Sequence, residues 1–249
     1  GYAFQYEGHC DYWAPCVLKF QGRYYMYVSF RKRGVFFEWL HVASSDSPLG
    51  PFSQVKCLYN RFTIDPHVVE TKAGLFLFYA ENRMDTERQG TRLFVDRLLT
   101  PETPANICRE VVKPTFVEEI SDRDHNGIPG DWYTLEGPFW MEKDGWQYLT
   151  YSGGSYMRES YHVGYAVAHT NEQDLTKIEY QKYSDDGKFS PLLATNTFEE
   201  GTGHHSILVD KDRVYIVYHA RDYGADPEAR TARIGALLVQ DGKMVFERL

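Results

Sequence analysis

Four hairpins in this chain share one register, and that repetition limits the fold more than any other feature. Pro15 leads to Tyr25, Pro66 to Phe76, Pro138 to Tyr148 and His205 to Tyr215, each across ten residues. The anchors stand 51, 72 and 67 residues apart. The third hairpin is the clearest. An apolar run from Glu136 is followed by Asp144-Gly145 and then by an aromatic-rich strand through Ser152. Asp-Gly between alternating apolar runs is a strong hairpin signal. Recurring sets of about four strands, with no helical period between them, are the mark of a β-propeller. Each blade buries its faces only against its neighbours. The expected fold is therefore all-β, a β-propeller with four recognisable blades starting near residues 12, 64, 135 and 203, within one domain spanning 1–249. A β-sandwich with accidental hairpin similarity is the alternative, and four agreeing offsets weigh against it.

Composition narrows the partners. The 249 residues carry a net charge of -8, which argues against a phosphate-backbone ligand and so against nucleic acid. Aromatic residues make up 16%, a content that suits strands and a stacking surface for a flat ligand. No apolar run approaches the ~20 residues of a membrane span. Cys10, Cys16, Cys57 and Cys108 fit neither a zinc set nor a redox pair, and free thiols are expected. Gly1-Tyr2-Ala3-Phe4 has neither the basic nor the apolar region of a signal peptide and no initiator Met precedes it, which reads as a processed or truncated start or a tag scar. Two compartments stay open, cytoplasmic or secreted with the signal removed.

Along the chain, Tyr12 to Phe20, Arg23 to Phe30 and Val35 to Ala43 read as strands, with Arg31 to Gly34 a basic solvated loop. Ile64 to Val69 and Leu75 to Ala80 form the second hairpin. Ser121 to Asp131 is polar and contains Gly127, Pro129 and Gly130, so it reads as a surface loop. Its Asp122-Arg123-Asp124-His125 looks like a loose metal cluster but is read as solvated. Asp241-Gly242 turns the last hairpin.

In a propeller the first strand of each blade lines the central channel. The residues starting those strands here are Trp13, Asp65, Glu136 and His204. Two carboxylates, an indole and an imidazole converging on one mouth suit sugar chemistry. A protonated carboxylic acid protonates a glycosidic oxygen, a second carboxylate orients it or raises its pKa, and an indole face stacks on a sugar ring. Each has a plainer reading. Asp65 before Pro66 is also a turn former, Glu136 a solvated turn residue, Trp13 core filler and His204 a structural histidine. Arg221, just past Tyr218-His219, is either a contact to a sugar hydroxyl or a surface arginine.

At these residues the chain resembles glycoside hydrolase family 43, a family of five-bladed β-propellers. Trp13-Ala14-Pro15 is similar to its second-blade signature, and Ser47-Pro48-Leu49-Gly50-Pro51-Phe52 to the link out of that blade. Ile64-Asp65-Pro66 resembles the third-blade motif, whose Asp modulates the acid's pKa and orients it. Glu136-Gly137-Pro138 matches the fourth-blade motif with the general acid. Gly203-His204-His205-Ser206 with Tyr218-His219 looks like the fifth blade, whose His sits by a metal or water site at the channel centre.

The resemblance implies an inverting acid/base glycosidase acting on arabinose- or xylose-containing plant polysaccharides or oligosaccharides. An α-L-arabinofuranosidase is favoured over a β-xylosidase because the Tyr151–Tyr156 stretch looks more like the arabinan-acting members, and a β-xylosidase or arabinanase is the alternative. It implies no required cofactor, with a structural Ca2+ or other ion near His204. One departure is large. The family's general base is an Asp in a first-blade Asp-Pro motif, and none of the twelve residues before Trp13 makes that step; Glu7 and Asp11 are the only carboxylates there. An inverting enzyme needs its second carboxylate ~6.5–9.5 Å from the acid. A carbohydrate-binding propeller with impaired catalysis, or a protein-binding scaffold, is the alternative. Exposed blade flanks would also favour a homo-oligomer.

Overall fold

The structure, a computed structural model, describes residues 6–249. The start-of-chain reading at residues 1–4 lies outside them. Its strands are, in order, β1 (His9–Phe20), β2 (Arg23–Lys32), β3 (Trp39–Ser45), β4 (Ser53–Tyr59), β5 (Thr63–Thr71), β6 (Gly74–Arg83), β7 (Gly90–Thr100), β8 (Thr103–Pro104), β9 (Arg109–Val112), β10 (Ile120–Arg123), β11 (Asp131–Tyr133), β12 (Leu135–Lys143), β13 (Trp146–Gly153), β14 (His162–His169), β15 (Gln181–Lys182), β16 (Glu199–Asp210), β17 (Arg213–Asp222), β18 (Thr231–Gln240) and β19 (Lys243–Arg248). Three sheets are four-stranded, in the orders β1-β2-β3-β4, β12-β13-β14-β15 and β16-β17-β18-β19, and the remaining one is built on β5-β6-β7. These sheets have the form of propeller blades, so the expected all-β fold with four recognisable blades is what the chain forms.

Local chemistry sets the hairpins. Gln21-Gly22, Asp144-Gly145 and Asp241-Gly242 each place two successive residues at positive φ. That is the type I′ turn, whose twist matches the strands it joins. Two strand boundaries differ from expectation. The strand expected over Val35 to Ala43 is Trp39–Ser45, and β2 runs on through Arg31 to Lys32. Arg31 is no solvated loop residue. Its guanidinium donates to Asp11 at 2.5 Å and to the Val35 carbonyl at 2.8 Å. Ser121 to Asp131 is also more ordered than a surface loop, because β10 and β11 pair across it and Arg158 bridges to Asp122 at 3.2 Å.

The chain divides into two compact units. One comprises Gly1–Asn82, Leu93–Glu110 and Glu172–Lys177. Its core is a layer of Tyr27, Leu40, Val42, Val68, Leu77, Tyr79 and Phe94 from the β1–β4 and β5–β7 sheets. A fully buried carboxylate, Asp96, anchors this layer. It accepts from the Tyr59 hydroxyl at 2.7 Å and from the Asn106 and Ile107 amides at 2.9 Å.

The other unit comprises Arg83–Arg92, Val111–Asn171 and Ile178–Leu249. Met141, Tyr148, Val163, Tyr165, Ile207, Ile216, Tyr218 and Leu237 fill the space between its two four-stranded sheets. Glu119, fully buried, accepts from the Thr115 and Phe116 amides and from Tyr151 and Lys182. Burial pulls the Lys182 ammonium down to about 8, against the opposing pull of Glu119.

Replacing Lys182 by Met should therefore cost about 3–5 kcal/mol near neutral pH, since it strands a buried carboxylate. Between about 8 and 10.5 the unfolded chain binds more protons at Lys182 than the native one, so wild-type stability gains relative to Lys182→Met as pH rises through that window. Urea unfolding of both proteins at three pH values checks the sign.

Candidate active site

The four first strands β1, β5, β12 and β16 carry the same irregularity at the same place. Register shifts fall between Trp13 and Cys16, Ile64 and His67, Glu136 and Phe139, and Gly203 and Ser206. Each is a β-bulge with one extra residue. In every case the residue after the first of these is left-handed: Ala14 (φ 41°), Asp65 (φ 56°), Gly137 (φ 57°) and His204 (φ 44°). Proline follows in three of the four. A bulge frees one backbone position from the ladder, so the missing N–H of Pro15, Pro66 and Pro138 costs no strand hydrogen bond. The bulge thus sorts the sequence-predicted residues into two rungs. Trp13 and Glu136 precede the left-handed residue, whereas Asp65 and His204 occupy it.

Within the first unit, Asp65 is buried, 4% exposed, and Trp13 is 43% exposed. The core-filler reading of Trp13 is corrected, since much of its indole faces solvent. Asp11 is also left-handed, and its carboxylate is held by Arg31, which Glu38 approaches at 3.5 Å.

The second unit brings Glu136 and His204 together. The Tyr161 hydroxyl donates to Glu136 Oε1 at 2.5 Å, and His204 Nδ1 lies 4.0 Å from the same oxygen. The Glu136 side chain is 17% exposed, neither solvated nor sealed. Oε1 thus accepts the Tyr161 hydroxyl.

The parts that hold this arrangement come from several strands. Tyr161 is fully buried, with its ring stacked on His219 at 5.6 Å and 13°. Its ring fills the space where a side chain at Gly203 would be, for an added Cβ would lie 2.0 Å from it. At Gly137 an added Cβ would only touch the His204 ring at 3.6 Å, so it is the left-handed φ of 57° rather than space that calls for glycine. The His204 amide donates to Ser152 Oγ at 2.7 Å. His205 faces the other way, as strand alternation predicts, and its Nε2 meets Thr150 Oγ1 at 2.5 Å.

Arg221 is not a surface arginine. It is 3% exposed, pairs with Glu200 at 2.9 Å and donates to the Tyr156 carbonyl at 3.2 Å. The Arg230 guanidinium caps the Tyr156 ring at 4.1 Å. Burial, with Arg230, His204 and Arg221 nearby, pulls His219 down to about 4. Sequence reasoning assigned no role to Tyr161, Glu200, Tyr156 or Arg230. Tyr161 reaches Glu136 across 25 residues of chain, and nothing local marks it.

Among the described residues no three His, Cys, Asp or Glu side chains are grouped to hold a metal, the Asp122–His125 segment included.

Comparison with known proteins gives a consistent picture. The profile of glycosyl hydrolases family 43 matches residues 3–244. The chain is 27% identical over 222 residues to the alpha-L-arabinofuranosidase B of Pyricularia oryzae, covering 85% of this chain and 43% of that protein. It is 25% identical to the xylosidase/arabinosidase 43A of Humicola insolens, covering 95% of this chain and 75% of that protein. A crystal structure of a thermostable family-43 glycoside hydrolase superposes with TM-score 0.76 at 27% identity, over 95% of this chain and 74% of that one. The chain therefore spans less than half the length of the first of these relatives.

A neutral His219 is the expected base of the Tyr161 stack. Its ring NMR signals should show no inflection from about pH 5.5 to about 8, where an ordinary histidine titrates. Because its folded pKa is lowered, its contribution to stability should fall as pH drops from 6.5 toward about 4. An inflection near 6.5 would show the ring to be charged or solvated.

Proposed function

Because the chain belongs to glycosyl hydrolases family 43, we propose that it is a glycoside hydrolase of arabinose- or xylose-containing plant polysaccharides and oligosaccharides, and that its favoured bond is the α-L-arabinofuranosyl linkage. The observation that carries this reading is the Glu136 carboxyl, largely shielded at a bulge, with Tyr161 on one oxygen and His204 beside it. Such a carboxyl suits a general acid. Its proton passes to the glycosidic oxygen as the bond to the anomeric carbon breaks. Water attacks that carbon from the opposite face, and a second carboxylate takes its proton, which inverts the configuration. Asp65 is assigned to tuning and orientation of the acid, and Trp13 to stacking on a sugar ring. Arg221, held by Glu200, serves the site by fixing the Tyr156 backbone rather than as a free sugar ligand. His204 is assigned to the polar surround of the acid, where water or an ion shared with the substrate completes its contacts. Asp11 is committed to Arg31, so the water-activating base is assigned to no residue here.

That last point favours one further reading, a propeller that binds the same sugars with little turnover. Arabino- and xylo-oligosaccharides separate the two readings. Glu136→Gln should lower kcat on oligosaccharides by about 10²–10⁴-fold. It should do far less on 4-nitrophenyl glycosides, whose leaving group departs without a proton. Tyr161→Phe keeps the ring stack and removes one donor. It should cost about tenfold in kcat at little change in KM. Binding of the oligosaccharides by the unaltered protein without product release would reject the hydrolase reading, and equal rates for Glu136→Gln on oligosaccharides would reject Glu136 as the acid.

A further inference from the structure

A cavity in the same unit is lined by neither Glu136 nor the Tyr161 and His204 side chains beside it. It has a volume of about 360 Å³, and its walls come from β14, the 183–196 segment and the last strand, β19. In the sheet order β12-β13-β14-β15, one strand, β13, lies between its β14 wall and the strand carrying Glu136, which makes two strand spacings. At ~4.8 Å per strand spacing that is on the order of 10 Å or more.

Its lining is of two kinds. Tyr183 and Phe246 supply aromatic surface. Tyr183 stacks on Tyr165 at 4.7 Å and 14°, and the Tyr165 hydroxyl in turn accepts the Met244 amide at 3.2 Å. Phe246 meets Tyr218 edge-on at 5.8 Å. The aromatic floor is thus held from behind by both sheets. Around it stand Asp185, Ser190 and Lys243. Among the described residues the carboxylate, hydroxyl and ammonium of these three have no partner. The Asp185 backbone is fixed by paired bonds to Lys188 in a tight turn, so the carboxylate stands on a defined support.

An apolar floor with a few convergent, uncommitted polar groups is the general form of a small-ligand site, and the volume falls at the lower end of the ~300–1,000 Å³ range for such sites. The polar set has a strong acceptor, a strong donor and a group that does both. Those match vicinal hydroxyls, while the stacked rings match the C–H face of a sugar ring. A wholly apolar ligand would leave the carboxylate and ammonium desolvated and unpaired. An anion would meet Asp185, and a cation would meet Lys243.

We infer that this cavity is a second carbohydrate site, which grips a pentose unit of the polysaccharide some distance from the bond being cut. The choice of pentose rests on the functional reading above. A chain held at two points is presented to Glu136 at a raised effective concentration. Short substrates, too small to span both sites, gain nothing from it.

The double variant Asp185→Ala/Lys243→Ala tests this. Both side chains are exposed, and the net charge is unchanged, so mobility in a plain native gel should equal that of the unaltered protein. In gels cast with arabinoxylan, and separately with linear arabinan, the unaltered protein should be retarded and the double variant should run markedly faster. The gel giving the larger difference identifies the polymer. Ser190→Trp, which fills the cavity, should reproduce the loss. On the soluble polymer the double variant should raise KM by at least about threefold, with rates on 4-nitrophenyl glycosides unchanged. Equal retardation of variants and unaltered protein, or no retardation of either, overturns the proposal. A retarded protein that releases no product, and whose variants lose retardation, leaves the second site standing and rejects the hydrolase reading.

Discussion

The left-handed residue in each first strand is the constraint on which the rest depends. A non-glycine residue in that conformation costs about 1–2 kcal/mol, yet three of the four positions, Ala14, Asp65 and His204, are not glycine. The strain is local and the gain is positional. The extra residue turns the strand and re-aims the side chains on either side of it. Glu136 and His204, which stand at different steps of their own bulges, come within 4.0 Å of each other because of this offset. Without the bulge at Gly137, strict alternation would fix Glu136 by its parity in β12 alone.

Around Glu136 the packing works as a set of exclusions. Gly203 has no side chain, so the Tyr161 ring occupies that volume. His219, kept neutral by burial and by neighbouring cations, offers a flat surface to the same ring. The tyrosine hydroxyl is thereby aimed at one carboxylate oxygen with little rotational freedom. Further out, Arg221 and Glu200 neutralise each other in the interior, where an unpaired charge would be expensive. Their pairing ties β16 to β17 and fixes the Tyr156 segment.

Each unit repeats a single packing solution, in which two twisted sheets share a layer rich in tyrosine. Several buried tyrosines find partners for their hydroxyls, as at Tyr59 with Asp96, Tyr27 with the Pro101 carbonyl and Tyr218 with Glu199. This explains the high aromatic content, which reflects interior packing more than a ligand-stacking surface. One face of the last sheet instead leaves Leu208, Val217, Ile234, Leu238 and Val245 exposed.

What the sequence determined by itself was the set of local structures. Asp144-Gly145 and Asp241-Gly242 specify tight turns through backbone preferences that need no distant partner, and Pro15, Pro66 and Pro138 mark the bulges because only an unladdered position tolerates them. Motif residues beside those prolines, Asp65 and Glu136, were legible for the same reason. Only the tertiary structure decided that Arg221 is buried, that the ends of the segment from Ser121 to Asp131 are paired, and that Tyr161 is the donor to Glu136. Each of these depends on which strands become neighbours. A side chain's burial and its partner are properties of the space between sheets, and a linear pattern of residues carries no term for that space.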